Sequence, residues 1–331
     1  MKVVVLGTGA TSGTLRTDGG VAGFIRRLTT VRPSWTCEYP LLARVVADCQ
    51  EEAEQLSLEH LWTRIDYYSK FRRILGSEYG APASIQLHKA VVDAYSFVDD
   101  VARICTTTTE FTLKRVLRGL TSGDALISFN WDTLAETILQ RMLGKDVVQA
   151  PHPSGNSSIR LIKPHGSLSW VHRSGEPPLF QDGSGPRLES MTSAEVQGGP
   201  GWFVQPLVLG AVPIKSELLE EIQFRQPQLH ETISDQWGQV VDVFSRVTEV
   251  EIVGYRFPQE DAYGRFLFRE AVRRRPDATH LPTIRYYALV RDREEFEKAF
   301  REVFAPQVNY EYMGEVKSAW PSNAESRTTS D

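Results

Sequence analysis

Three cysteines, Cys37, Cys49 and Cys105, are all that this chain of 331 residues carries, and their spacing is irregular. An odd, scattered set draws neither a disulfide framework nor a C-x-x-C metal site, so reduced, buried thiols and no structural metal are expected. No apolar run approaches ~18 residues, and Met1-Lys2-Val3 opens a strand rather than a signal peptide, so a cytoplasmic protein without a membrane span is expected. Basic charge is short as well: 37 Lys and Arg stand against 42 Asp and Glu, a net charge of −5 that leaves no electrostatic footprint for nucleic acid. The densest basic run, Arg269 to Arg275, reads as a solvated helix end. There is no internal repeat. With 41% hydrophobic residues, the chain has ample material for the core of one large domain or two modest ones.

What is present is organised around residues 124–170. Ala125–Phe129 is an apolar run of strand length, followed directly by Asn130-Trp131-Asp132. Leu134, Ala135, Ile138, Leu139 and Met142 then recur at helical spacing, with Gly144 where a helix C-cap belongs. A second apolar run, Ile159–Ile162, leads into Lys163-Pro164-His165-Gly166. Two strands thus deliver polar groups at their carboxyl ends, the edge where open α/β sheets bind ligands. Asn130 and Asp132 could by themselves be plain N-cap residues, and His165 by itself a structural histidine. Their joint placement favours a site. His60, His88, His152, His172, His230 and His280 keep the structural reading.

The amino terminus supplies a further candidate. Val3–Leu6 reads as a buried strand ending in Gly7-Thr8-Gly9-Ala10-Thr11-Ser12-Gly13, where glycines would let backbone approach a phosphate. The spacing is not G-x-G-x-x-G, and no acidic strand end follows ~20 residues on, which disfavours a dehydrogenase. No Lys-Ser or Lys-Thr pair follows the glycines, so a nucleoside-triphosphate loop fails too. Residues 14–38 suggest a flexible connection near that loop. Residues 39–118 turn helical, with stripes at Leu58 to Leu75, Leu87 to Cys105 and Phe111 to Leu117. Residues 173–201 are rich in Gly, Pro and Ser and read as loop. Phe203–Val208 reads as a strand, Pro213–Phe224 as a short helix and Ile233–Phe244 as a longer one. Val250–Val253 is a strand before Gly254-Tyr255-Arg256-Phe257-Pro258, and Ile284–Val290 and Val308–Tyr312 are two more. Asp292 with Glu295 forms a capping box. Alternating strands and helices give an α/β fold with a Rossmann-like, doubly wound, mainly parallel sheet.

Four stretches taken together resemble the sirtuin superfamily, in particular its divergent bacterial branch of sirtuin-like NAD hydrolases associated with antiphage defence. Gly7-Thr8-Gly9-Ala10-Thr11-Ser12 looks like the family's G-A-G-x-S, and Phe129-Asn130-Trp131-Asp132 is similar to its T-x-N-Y-D. Lys163-Pro164-His165-Gly166-Ser167 resembles L-H-G-S, and Ile252 to Pro258 with Asp261 resembles V-G-Y-S-F-P-x-x-D. The resemblance implies one sirtuin-like NAD-binding domain over 1–320, with a helical insertion at about 20–118 and a disordered tail at 321–331. It implies that the Gly7–Ser12 loop holds the NAD pyrophosphate and that Asn130 orients a water or the nicotinamide ribose. Asp132 would hold the carboxamide, His165 would act as general base, and Gly254 and Tyr255 would line the adenosine side. The family's protein deacylases carry four zinc-binding cysteines after the histidine motif, and this chain has none there, so no zinc module is expected.

The activity so implied is NAD⁺ glycohydrolysis, with NAD as substrate and no metal, in a regulated effector of bacterial antiphage defence. A homo-oligomer or an activating protein partner would supply the regulation. A catalytically silent NAD or ADP-ribose sensor is the alternative, with an ADP-ribosyltransferase or a protein deacylase further off. As groups at strand ends, Asn130 and His165 are expected to serve the site and to add little to stability.

Overall fold

The computed structural model describes residues 1–17, 20–49, 56, 58–70, 81–95, 98–149, 158–173, 204–208, 227–259, 261–275, 282–289, 293–304 and 308–320. Its centre is β1 (Lys2–Leu6), whose Val3, Val4 and Val5 have no exposed surface. A run apolar on consecutive positions is what a strand covered on both faces requires. Alternate residues of β1 feed different cores: Val3 and Val5 join one hydrophobic cluster, Val4 and Leu6 another.

β1 lies between β2 (Ala125–Ser128) and β7 (Glu249–Val253), both parallel to it. Outward from β2 run β4 (Ile159–Ile162) and β3 (Val147–Gln149), and outward from β7 run β8 (Thr283–Ala288) and β9 (Tyr310–Glu315). All seven strands are parallel, in the order β3-β4-β2-β1-β7-β8-β9. Helices cover both faces, so the chain is α/β and compatible with a Rossmann-like, doubly wound sheet. The chain first builds outward from β1 on one side and later returns to build on the other. Its direction therefore switches between β1 and β7, the kind of position beside which doubly wound sheets bind ligands at the carboxyl ends of their strands.

Among the described residues, eight helices lie between β1 and β2: α1 (Thr8–Leu15), α2 (Gly20–Val31), α3 (Trp35–Glu38), α4 (Pro40–Asp48), α5 (Leu58–Lys70), α6 (Ala81–Tyr95), α7 (Val98–Thr106) and α8 (Thr112–Arg118). The flexible connection expected over 14–38 is instead helical, because Val21, Phe24, Leu28 and Trp35 face a core of their own with Leu42, Leu61, Ile65 and Leu87. Gly19-Gly20 hides that pattern only at its start. The stretch 20–118 also divides. Ile104, Phe111, Leu113, Val116 and Leu117 pack against the sheet, so the separately packed helices end at α6.

Beyond β2 come α9 (Leu134–Thr137), continued by a π turn at Ile138–Met142, then a two-stranded antiparallel ribbon of β5 (Gly166–Arg173) and β6 (Val204–Val208). α10 (Pro227–Arg246), α11 (Ala262–Arg273) and α12 (Arg293–Val303) complete the layers. The loop expected at 173–201 falls almost wholly outside the described residues. So do the helix expected at 213–224, the cap at Asp292 and the tail at 321–331.

β1 and β7 meet backbone to backbone where they end. Gly7 N–H donates to Val253 O at 3.1 Å and Gly9 N–H to Gly254 O at 3.0 Å. A Cβ on Gly254 would lie 2.2 Å from Ala10 N, and one on Gly7 would lie 2.5 Å from Tyr255 Cα. Gly254 also has φ +63°, whereas Gly123 has φ +86° with nothing within 4 Å of its missing Cβ. The pair separates crowding from conformation. Gly123→Ala should cost ~1–2 kcal/mol, the left-handed penalty alone, and Gly254→Ala should add the ~1–3 kcal/mol of overpacking. Urea denaturation of both variants checks this, and equal losses would contradict it.

Candidate functional site

The carboxyl ends of β1, β2, β4 and β7 bring together most of the residues singled out in the sequence. Phe129-Asn130-Trp131-Asp132 leaves β2, and Phe129 N–H donates to Leu6 O at 2.9 Å, which holds that exit beside β1. Asn130 is buried. Its Nδ2 donates to Gly7 O at 2.9 Å and to Thr11 Oγ1 at 3.0 Å. Gly7 O can only accept, so the amide orientation is fixed. Oδ1 is then left as a buried acceptor with no donor among the described residues. Thr11 Oγ1 in turn donates a hydrogen bond to Asp132 Oδ2 at 2.8 Å, and Asp132 Oδ1 accepts from Leu134 N–H at 3.0 Å. Asp132 therefore does the work of a helix cap in addition to lying at the site.

The first segment differs from the loop expected of it. α1 begins directly at Thr8, so Thr8 to Ser12 form helix, and the amides of Gly7 and Gly9 are spent on β7. Thr8 is exposed and Ser12 half-buried, four residues apart on one face of α1. Ala10 and Gly9 are buried.

A second set forms around His165. Its Nε2 lies 3.3 Å from Asp261 Oδ1, and its ring meets the Phe129 ring edge-on at 5.0 Å between centroids. Asp261 Oδ2 accepts from the Tyr255 hydroxyl at 2.7 Å. Tyr255 stacks on Phe129 at 4.3 Å and 10°. Burial first, and then the charge of Asp261, push the Tyr255 phenol well above its ordinary value, so it stays a donor. Phe129 thus joins the two sets: its neighbour Asn130 belongs to one, and its ring faces His165 and Tyr255 of the other.

Lys163 holds the β2 exit in place. Its side chain is fully buried, with Nζ 2.7 Å from Glu136 Oε1, 2.7 Å from Asp132 O and 3.3 Å from Trp131 O. From α10, Gln236 Oε1 accepts Lys163 N–H at 2.7 Å, and Trp237 Nε1 donates to Pro164 O at 2.7 Å. Gly166, at φ +80°, then turns the chain into β5. His165 is thereby presented from a turn pinned on both sides. Glu136 is unnamed in the sequence reading, and Lys163 and Asp261 stand there only as members of quoted motifs, without a role at the site. The spacing of Asp261 to Gly264, which suits an N-cap, was the available signal.

Trp131 reaches the other way, to within 5.9 Å of Trp62 in the separate helical core. Among the described residues, no group of three or more His, Cys, Asp or Glu side chains could hold a metal, and no helix is long and apolar enough to cross a membrane. No protein-family model matches the chain, and no curated protein matches it.

Two outcomes follow. Lys163→Met would leave the Glu136 carboxylate buried and unpaired, and should cost ~3–5 kcal/mol. Adding Glu136→Gln should return much of that loss, and urea denaturation of the single and double variants would show it. Asp132 carries a different sign. Burial, outweighing the nearby Lys163 charge, raises its carboxyl above the usual range, so the folded chain holds that proton more tightly than the unfolded one. Its contribution to stability is full below about pH 4 and is lost as pH rises through the folded value. Asp132→Asn should therefore match the wild type in acid and gain on it as pH rises towards neutrality, in melting curves taken across that window.

Proposed function

We propose that the chain is a sirtuin-like NAD⁺ glycohydrolase, cleaving NAD⁺ to nicotinamide and ADP-ribose at the edge formed by β1, β2, β4 and β7. The observation that carries this reading is the Asn130 Oδ1 atom. A buried acceptor without a donor costs ~1–3 kcal/mol, and the neighbouring Phe129 ring meets a histidine held by a carboxylate, at the strand ends where a doubly wound sheet binds nucleotides. A buried acceptor left without a partner at such a place suits an ordered water or a ribose hydroxyl.

The chemistry asks little else of the protein. The bond from C1′ of the ribose to the pyridine nitrogen breaks, and the nitrogen keeps the electron pair, so nicotinamide leaves neutral. Water oxygen bonds to C1′, and its proton passes to His165 and then to solvent. Restrained geometry around an oxocarbenium-like carbon supplies most of the barrier lowering. Asn130 Oδ1 accepts from the water or the hydroxyl, and Thr8 and Ser12 offer hydroxyls on the open face of α1. Asp132 contributes the carbonyl-side framework of the turn and the clamp towards the carboxamide. Trp131 against Trp62 gives the helical core a contact with the site turn, through which assembly or a protein partner would regulate an effector activity.

Incubation of the purified chain with NAD⁺, with nicotinamide and ADP-ribose followed by chromatography, tests the proposal. His165→Ala should lower nicotinamide release by ~10²-fold or more with little change in melting temperature. Asn130→Ala should lose activity similarly. It should also lose ~1–3 kcal/mol of stability, because Gly7 O and Thr11 lose their buried partner. That corrects the expectation of a site group with no structural role. His172→Ala, further along β5, should keep most activity. Full turnover by His165→Ala would sink the mechanism, and tight ADP-ribose binding with no nicotinamide release by the wild type would favour a sensor instead.

A further inference from the structure

We propose that Asp261, steadied by Tyr255, is the positioning residue that fixes the tautomer of His165 with the proton on Nε2, so that Nδ1 is the atom that takes the proton from water. The inference rests on the reading of His165 as the base. It starts from the burial of Asp261, which is 6% exposed. A buried carboxylate needs donors, and an ionised carboxylate can only accept. Two donors are fixed by the fold: Gly264 N–H to Oδ1 at 3.1 Å and the Tyr255 hydroxyl to Oδ2 at 2.7 Å. The third neighbour is His165 Nε2, 3.3 Å from Oδ1. Facing an acceptor, that nitrogen must carry the hydrogen, and the lone pair of the neutral ring is then on Nδ1.

Capping α11 would need only one of the two carboxylate oxygens, and stacking on Phe129 would need only a phenylalanine at 255. The chain carries more than either role requires. Gly264 marks what the arrangement costs. A Cβ there would lie 2.3 Å from the Tyr255 hydroxyl and 2.4 Å from Asp261 Oδ2, so a glycine is kept within the first turn of a helix to make room for this pair. Tyr255 is clamped in turn between the Phe129 ring and the Phe257 ring, 4.8 Å away. Phe257 itself sits at φ +53°, a conformation that a bulky residue adopts only when its surroundings force it. These contacts fix the carboxylate against rotation, and a fixed carboxylate fixes the ring.

Asp261→Ser separates the roles, because serine keeps the helix cap but is too short to reach the imidazole. ¹⁵N-imidazole spectra of the full chain should show the Nε2–H form of His165 in the wild type and a mixed population in Asp261→Ser. Nicotinamide release should fall at least ~10-fold in kcat, with KM within about twofold. Asp261→Asn, which retains a neutral acceptor, should recover part of the rate and carries the test if the serine variant does not fold. In a His165→Ala background, Asp261→Ser should cause no further fall, as a merely structural residue would. A wild-type ring protonated on Nδ1, or a serine variant with unchanged kcat, overturns the assignment. A wild type that releases no nicotinamide removes the functional proposal, and the spectra still decide the tautomer.

Discussion

One buried ammonium holds the candidate site of this protein together. Lys163 Nζ is the common donor to the carbonyls of Trp131 and Asp132 and to the carboxylate of Glu136. A lysine with no exposed surface is tolerable only when its charge is paired and its donors are used, and here they are. The same residue precedes Pro164 and His165, so one side chain couples the turn after β2 to the turn after β4. A second, longer tie runs beside it, from Ser167 Oγ to Trp131 O at 3.4 Å.

Around that tie, the two sides of the site are built by different physics. The Asn130 side is a hydrogen-bond chain from Gly7 O through Asn130 and Thr11 to Asp132 and Leu134 N–H. The His165 side is aromatic: Phe129, Tyr255 and Phe257 pack in sequence, and a single buried carboxylate links that stack to the imidazole. The glycines at 7, 9 and 254 let β1 and β7 close on each other. Their physical reason is therefore interlocked backbone at the topological switch. The amides of Gly7, Gly9 and Ala10 are used within this contact, and Thr8 stays exposed on α1.

Much of this was legible in the residues. Mainly apolar runs at Val3–Leu6, Ala125–Phe129, Ile159–Ile162 and Val250–Val253 announced buried strands, and polar residues directly after three of them marked the edge. What was hidden depended on partners distant in sequence. Lys163 and Glu136 are 27 residues apart and look like ordinary surface charges until the fold buries both. Asp261 stands in the sequence only as the last residue of the fourth motif, and its approach to His165 appears only across 96 residues. The helices of 20–38 escaped because Gly19, Gly20 and Gly23 suggest a loop, while tertiary burial of Phe24 and Leu28 overrides that local preference. The division of the helical stretch after α6 was likewise invisible, since a stripe shows that a face is buried and not against what.

The central claim is that this edge receives a dinucleotide with its nicotinamide ribose against Asn130 and His165. A crystal structure of the His165→Ala protein with NAD⁺ tests it most directly, because slowed cleavage leaves the substrate whole. The account predicts a ribose hydroxyl or an ordered water within hydrogen-bond distance of Asn130 Oδ1, with the pyrophosphate over Thr8 and Ser12. Nucleotide bound away from the ends of β1, β2, β4 and β7, with Asn130 Oδ1 untouched, would contradict it.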